Sequence, residues 1–261
     1  VPAVYRLLHE SRDLDSVDSV RYFISGGAPL GLDLARGFAL KFGRPVLEGY
    51  GLSEASPVVS VNLPHKVKVG SIGPTIAHVK AKIINAHGEE VPHFERGELL
   101  VKGPNVMLGY LNLPDATAKA IEKDGWLHTG DVGYMDEDGF IFLVDRVKDM
   151  IISSGENVYP REIEEVVSAY PGVAECSVIG IPDALRGQAI CLYVVPREGE
   201  TIDKKALRQY LIGRIAPYKV PREYFLVESL PKTALGKVRK NVLRDETVAI
   251  LSKNKFAGRA L

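Results

Sequence analysis

The 261-residue sequence has two cysteines, one tryptophan, three methionines and no excess charge of either sign, 33 basic residues facing 33 acidic ones. Each scarcity excludes a class of protein. Cys176 and Cys191 are too few to staple a chain of this size. Each lies in an apolar run, ECSVIGI and ICLYVV, which suits buried, reduced thiols. The histidines are scattered, with no C-x-x-C or H-E-x-x-H spacing, so no zinc site is expected. Balanced charge without a basic stripe argues against nucleic acid as a main partner. No apolar run approaches the roughly 20 residues that cross a bilayer. The opening VPAVYRLLHESRDLD has neither the basic nor the apolar region of a signal peptide, which points to a cytoplasmic protein with no indicated membrane contact. A starting Met is also missing, as processing would leave it, or excision from a longer chain.

What is present suits a packed globular chain of one large domain or two ordinary ones, since 46% of the residues are hydrophobic. VRYFISGGAPL predicts a strand over Val20 to Ser25, a glycine pair, and a helix from about Leu30 to Phe42. A second strand in PVLEGYG follows, so this stretch reads as the last part of a wound α/β sheet. From Gly70 the pattern changes to short strands in VKAKII, GELLVKG and GFIFLVD, a small β subdomain interrupted by a helix entered at Pro114. After Asp149 it changes again. YPREIEEVVSAYPG is an amphipathic helix, opened by Pro160, with Ile163, Val166, Val167 and Tyr170 on its apolar face. The strands AECSVIGI and AICLYVV, a helix from about Thr201 to Ile215, the strand EYFLVESL and a final helix from near Lys237 complete a compact α+β domain. The expected boundary divides residues 1–147 from 148–261. The charged, glycine-flanked stretch from Gly125 to Glu165 straddles it, with one short apolar strand inside.

Four stretches carry chemistry. In SGGAPL, glycines after a strand let the backbone approach a flat or phosphorylated ligand, or simply make a tight turn. In LEGYGLSEASPV, Tyr50, Ser53 and Glu54 could stack on a base, contact a phosphate and hold Mg²⁺ through oxygen, or form an ordinary polar loop. In HTGD, the Asp131 carboxylate is a candidate to accept both hydroxyls of a ribose, with Arg146 brought back by the following turn and strand; a solvated loop with a surface ion pair is the alternative. In PKTALGKVRK, the glycine-flanked Lys237 can deliver a compact positive charge, although one lysine among many more often serves solubility.

Taken in order, SGGAPL, EGYGLSE, GELLVKGPNVMLGY, GWLHTGD, DRVKDMIISSGENVYPREIE and PKTALGK resemble the successive signature motifs of the adenylate-forming enzymes, the superfamily of acyl- and aryl-CoA synthetases, peptide-synthetase adenylation domains and beetle luciferases. The resemblance runs from about Val20 to Asp245. The family's Ser/Thr/Gly-rich phosphate loop ending in Pro-Lys has no counterpart, so the chain resembles the C-terminal half of such an enzyme: the end of its large domain and all of its small, mobile one.

The resemblance implies activation of a carboxylic acid by ATP to an acyl-adenylate and transfer of the acyl group to coenzyme A. It places Gly26, Gly27 and Ala28 along the adenine and acyl pocket, Tyr50 and Gly51 beside adenine, Ser53 on phosphate and Glu54 on Mg²⁺. The family more often has Thr at the position of Ser53, and the hydroxyl is kept. Asp131 and Arg146 would bind the ribose, Lys148 would be the hinge, Gly155 would line the pantetheine tunnel, and Lys237 would contact the adenylate's reacting oxygens. GYGLSE and IISSGENVYPREIE look most like fatty acyl-CoA ligases, while an aryl or other acid remains an alternative. By itself the chain is expected to be an inactive fragment lacking its N-terminal half, prone to self-association through its truncated sheet. The competing expectation is a non-catalytic interaction module derived from the family.

Overall fold

The computed structural model describes residues 1–257 apart from 13, 15, 16, 234 and 235. The chain forms two compact units, Val1–Val144 and Asp145–Leu261.

The first unit opens with helix α1 (Pro2–Glu10), then β1 (Phe23–Ser25), α2 (Leu32–Phe42), β2 (Val46–Gly51) and β3 (Val58–Val61). β1 and β2 run parallel, with Phe23 opposite Val46, and β3 pairs antiparallel with β2. This is an α/β unit in which α2 makes the crossover. Fully buried Phe38 on α2 packs against the rings of Tyr5, Phe23 and Phe42 at 4.6 to 5.3 Å between centroids. The strand predicted from Val20 begins only at Phe23, because Val20 and Tyr22 are exposed and have no burial to gain from pairing.

A four-stranded antiparallel sheet follows: β4 (Lys80–Ile84), β5 (Gly97–Lys102), β6 (Leu127–Met135) and β7 (Ile141–Arg146), with α3 (Pro114–Ala120) between β5 and β6. Leu99, Val101, Leu127 and Ile141 share one core with Ala55 and Val59. Gly97 is obligatory at the start of β5, since a Cβ there would lie 2.1 Å from the Ile84 carbonyl oxygen. Buried Asn62 ties the parts of this unit together. Its amide nitrogen donates to the carbonyls of Glu48 (3.0 Å) and Ser71 (2.7 Å), and its oxygen accepts Lys68 N–H (3.0 Å). Lys68 in turn pairs with Asp136 and Asp138. These contacts raise the Lys68 pKa. They also hold the Asp136 carboxyl below its ordinary value, overcoming the upward push of its own burial.

The second unit contains β8 (Ile151–Ser153), β9 (Glu156–Val158), α4 (Pro160–Ser168), β10 (Val173–Asp183), β11 (Gly187–Pro196), α5 (Lys204–Leu211), β12 (Glu223–Leu226) and α6 (Lys240–Ala257). Its sheet runs β10-β11-β8-β9, with β12 parallel to β11. Ile163, Val167, Leu207 and Leu211 of α4 and α5 pack with Val178, Leu192 and Val194, and Tyr170 is partly buried beside them. A separate cluster joins Leu243 of α6 to Ile179, Cys191 and Tyr193. Helix α5 is shorter than expected. It starts where the Asp203 carboxylate accepts the N–H groups of Lys205 and Ala206, and it ends before Gly213, whose φ is +87°. Both cysteines are free, and burial pushes each thiol up to about 12.

Gly125 to Glu165 is far more regular than its composition suggests: it holds β6 to β9 and the start of α4. Alternation along β6 is broken by a bulge, and Asp136, Glu137 and Asp138 sit in the turn that follows it. Asp136 accepts the N–H groups of Asp138 and Phe140, and so closes the β6–β7 hairpin. No helix among the described residues is long and apolar enough to cross a membrane.

Asn62→Ala should lower the unfolding free energy by ~2 kcal/mol, because the Ser71 carbonyl and the Lys68 N–H lose their partner, while the Glu48 carbonyl keeps the N–H of residue 62. Urea unfolding of the two proteins checks this.

Candidate functional site

The chemistry-bearing residues of the first unit stand at strand ends. Gly26, Gly27 and Ala28 follow β1, and Gly27 turns the chain at φ +79°. The loop is tied to β2 because buried Glu48 accepts Leu30 N–H at 3.0 Å. Tyr50 and Gly51 end β2. Gly51 allows a close crossing, as a Cβ there would stand 2.0 Å from the Pro57 carbonyl oxygen. Ser53 and Glu54 occupy the 3₁₀ turn Ser53–Ala55, with Ser53 exposed and Glu54 half-buried.

This turn is clamped by a loop whose role the sequence did not disclose. Met107 N–H donates to the Glu54 carbonyl at 2.8 Å, and Asn105 Nδ2 donates to the carbonyls of Ala55 and Val58. The Tyr110 hydroxyl donates to Glu54 Oε1 at 2.9 Å, which raises the Tyr110 pKa. Glu54 is thereby oriented, and no hydrogen bond engages its Oε2 among the described residues. A half-exposed carboxylate oxygen is a suitable hard ligand for Mg²⁺, which commonly takes one or two carboxylates and completes its shell with water and substrate phosphates.

Asp131 owes its place to the bulge. Glu98 pairs with Val132 and Leu100 with His128, so Thr129, Gly130 and Asp131 all stand opposite the single residue Leu99. The excess residues leave the ladder and are stitched by side chains. Thr129 Oγ1 donates to the Leu99 carbonyl at 2.7 Å and accepts Asp131 N–H at 3.1 Å. The turn at Gly130 has φ +69°. Buried Asp131 then receives a hydrogen bond from the Tyr50 hydroxyl. Two motifs 81 residues apart are thus in direct contact.

Arg146, Lys148, Gly155 and Lys237 belong to the second unit. Arg146 ends β7 and is exposed, as is Lys148 in the 3₁₀ turn Val147–Asp149. Asp145, which the sequence left unremarked, accepts Arg146 N–H through Oδ1 and, through Oδ2, Arg161 N–H at the start of α4 (2.9 Å). Ser154 and Gly155, at φ +56° and +83°, form the two-residue loop of the β8–β9 hairpin. Lys237 is exposed, in a turn closed by Thr233, whose N–H donates to the Lys237 carbonyl and whose hydroxyl accepts Lys237 N–H. Ala234 and Leu235 of the PKTALGK stretch lie outside the described residues.

A β-α-β unit closed by a glycine loop, a bulged antiparallel sheet and a separate α+β unit together have the architecture of adenylate-forming enzymes. The chain belongs to that family: residues 1–111 match the model for AMP-binding enzymes, and residues 162–237 match that for the AMP-binding enzyme C-terminal domain. It is 43% identical over 251 residues to a long-chain-fatty-acid–CoA ligase of Bacillus subtilis, covering 94% of this chain and 45% of that one. It is 42% identical over 248 residues to a feruloyl-CoA synthase of an Amycolatopsis species, covering 94% of this chain and 50% of the relative. Among solved structures, ATP-bound MatB from Rhodopseudomonas palustris superposes with a TM-score of 0.89 at 39% identity, over 94% of this chain and 49% of the other. The chain therefore spans about half the length of the relatives it matches.

Replacing Glu54 by Ala should lower the Tyr110 phenol pKa toward its ordinary value, since the carboxylate both accepts the hydroxyl proton and opposes a second negative charge. A pH titration of the Tyr110 ring carbon by NMR reads the shift.

Proposed function

We propose that this chain supplies part of the adenylating site and the small domain of an acid–thiol ligase, which activates a carboxylic acid with ATP and passes the acyl group to coenzyme A. The observation that carries the reading is the hydrogen bond from the Tyr50 hydroxyl to Asp131, which joins the motif assigned to adenine with the motif assigned to ribose.

In the first step a carboxylate oxygen of the acid attacks the α-phosphorus of ATP, and the bond to pyrophosphate breaks. Asp131 accepts ribose hydroxyls, with Arg146 as its partner in that role. Gly26, Gly27, Ala28 and Gly51 let the backbone approach the adenylate closely, Tyr50 lies beside adenine and Ser53 contacts phosphate. Glu54 would hold Mg²⁺, which when bound would supply positive charge to offset that of the departing pyrophosphate. Lys237 brings a preorganised ammonium to the reacting oxygens. In the second step the thiol sulfur of coenzyme A attacks the acyl carbon, AMP departs with the bonding electrons and the thiol proton is released. The second unit turns about Lys148 between the steps. This withdraws Lys237 and presents Gly155 to the pantetheine arm. The functional boundary accordingly lies at 147/148.

A fatty acid is the proposed acid, supported by the names of the ligases that the chain resembles. The feruloyl-CoA synthase of nearly equal identity makes an aryl acid the second reading. Assaying the full-length enzyme with both acids, and following thioester formation, separates the two. Lacking the family's phosphate loop, this chain alone is proposed to hold ATP weakly and to form no adenylate. Micromolar ATP binding together with pyrophosphate exchange would overturn that.

In the full-length enzyme, Lys237→Ala should slow adenylate formation by roughly two to three powers of ten. Transfer from a supplied acyl-adenylate to coenzyme A should stay within a small factor of the parent. Equal losses in both half-reactions would mean a damaged fold, and no loss in either would remove the assigned role. Limited proteolysis of the present chain should cut between Asp145 and Gly155; resistance there with clean cleavage elsewhere would contradict a hinge at Lys148.

A further inference from the structure

Nothing in the family reading concerns the residues that hold the β6 bulge in shape. The bulge leaves Gly130 without a register partner on β5, and the side chain of Glu98 takes over the missing acceptor. Its Oε1 accepts Gly130 N–H at 3.1 Å, and its Oε2 lies 3.1 Å from His128 Nδ1. On the far side of the ring, His128 Nε2 lies 3.1 Å from Glu122 Oε1, and Lys82 Nζ is 4.0 Å from Glu122 Oε2. One carboxylate thus grips both the residue before Thr129 and the residue after it. Thr129 itself is fastened to the Leu99 carbonyl, so the chain immediately preceding Asp131 has little freedom left.

We propose that Glu98 is a positioning residue for Asp131: through Gly130 and His128 it fixes the bulge, and hence the orientation in which Asp131 meets Tyr50 and, on the ligase reading above, a ribose. A carboxylate suits this task because its two oxygens lie in one plane and can serve two donors at once. A glutamine keeps one acceptor oxygen for Gly130 at the same reach, and its amide nitrogen can donate to a neutral His128 ring. Alanine keeps neither. The register explains why the acid stands here. Glu98 is the last residue of β5 paired before the bulge, with Gly97 and Gly133 behind it in contact-tight backbone. The polar side chain nearest the gap in the ladder is therefore its own.

The test uses this chain, isotopically labelled for NMR, alongside Glu98→Ala and Glu98→Gln. Amide exchange at Gly130 and Asp131, the Asp131 carboxyl carbon shift and urea unfolding are measured on each, and AMP is titrated into the full-length enzyme carrying the same substitutions. In Glu98→Ala, Gly130 exchange should quicken about tenfold and AMP should bind about tenfold more weakly, the loss expected for one charge-assisted hydrogen bond. The Asp131 carboxyl shift should move with them. Glu98→Gln should restore all three. Should the Ala variant fail to unfold cooperatively, Glu98→Asp, one methylene shorter, replaces it with the same expected direction. Unchanged Gly130 and Asp131 signals, a loss of stability alone, or failure of Gln to restore the signals would overturn the proposal. If AMP titrated into the full-length enzyme leaves Asp131 unperturbed, the ribose reading falls, and the Gly130 and Asp131 signals of this chain still decide whether Glu98 positions the carboxylate.

Discussion

The first unit depends on a backbone constraint: a strand that carries more residues than its neighbour must find other partners for the N–H and C=O groups it displaces. In β6 the displaced residues are Thr129, Gly130 and Asp131, and the acceptors and donors that replace the ladder come from Thr129 and Glu98. The departure from regular pairing brings a buried carboxylate to Tyr50. A perfectly paired β6 would have alternated these side chains between the two faces of the sheet, and Asp131 would have gone where the pleat sent it.

The same economy governs the Ser53–Ala55 turn. It is too short to hold itself, and its polar groups are satisfied from Asn105, Met107 and Tyr110, so the orientation of Glu54 depends on a loop about 50 residues further along. In both places a carboxylate is aimed by hydrogen bonds from a distant segment, and the sheets serve to bring those segments together.

This explains what could be read before the fold was known. Helix α4 was legible because Ile163, Val167 and Tyr170 recur at helical spacing behind Pro160, a local pattern. The β1-α2-β2 unit was legible for the same reason, through its glycine pair and alternating elements. Tyr50, Glu54 and Asp131 were legible as motif residues, but their partners were not. Glu98, Tyr110 and Asp145 are ordinary polar residues in sequence, and they gain meaning only once β5 lies beside β6, the 103–110 loop beside the Ser53 turn, or Asp145 meets the Arg161 N–H. Between Gly125 and Glu165 the strand in GFIFLVD and the helix behind Pro160 were legible, while β6, β8 and β9 and the use of Asp136 and Asp145 as acceptors for backbone N–H groups were not.

The Asp145 carboxylate joins the backbone before Lys148 to the first turn of α4 after it. The pivot proposed at Lys148 would lie between the two ends of that bond, and rotation there would open it. A hydrogen bond from a backbone amide to a carboxylate contributes about 1.5–3 kcal/mol, which corresponds to a ratio of roughly ten to a hundred between latched and unlatched populations. On the proposal of a pivot at Lys148, a latch of that strength would favour one arrangement at rest and leave the other within reach of a modest difference in ligand affinity.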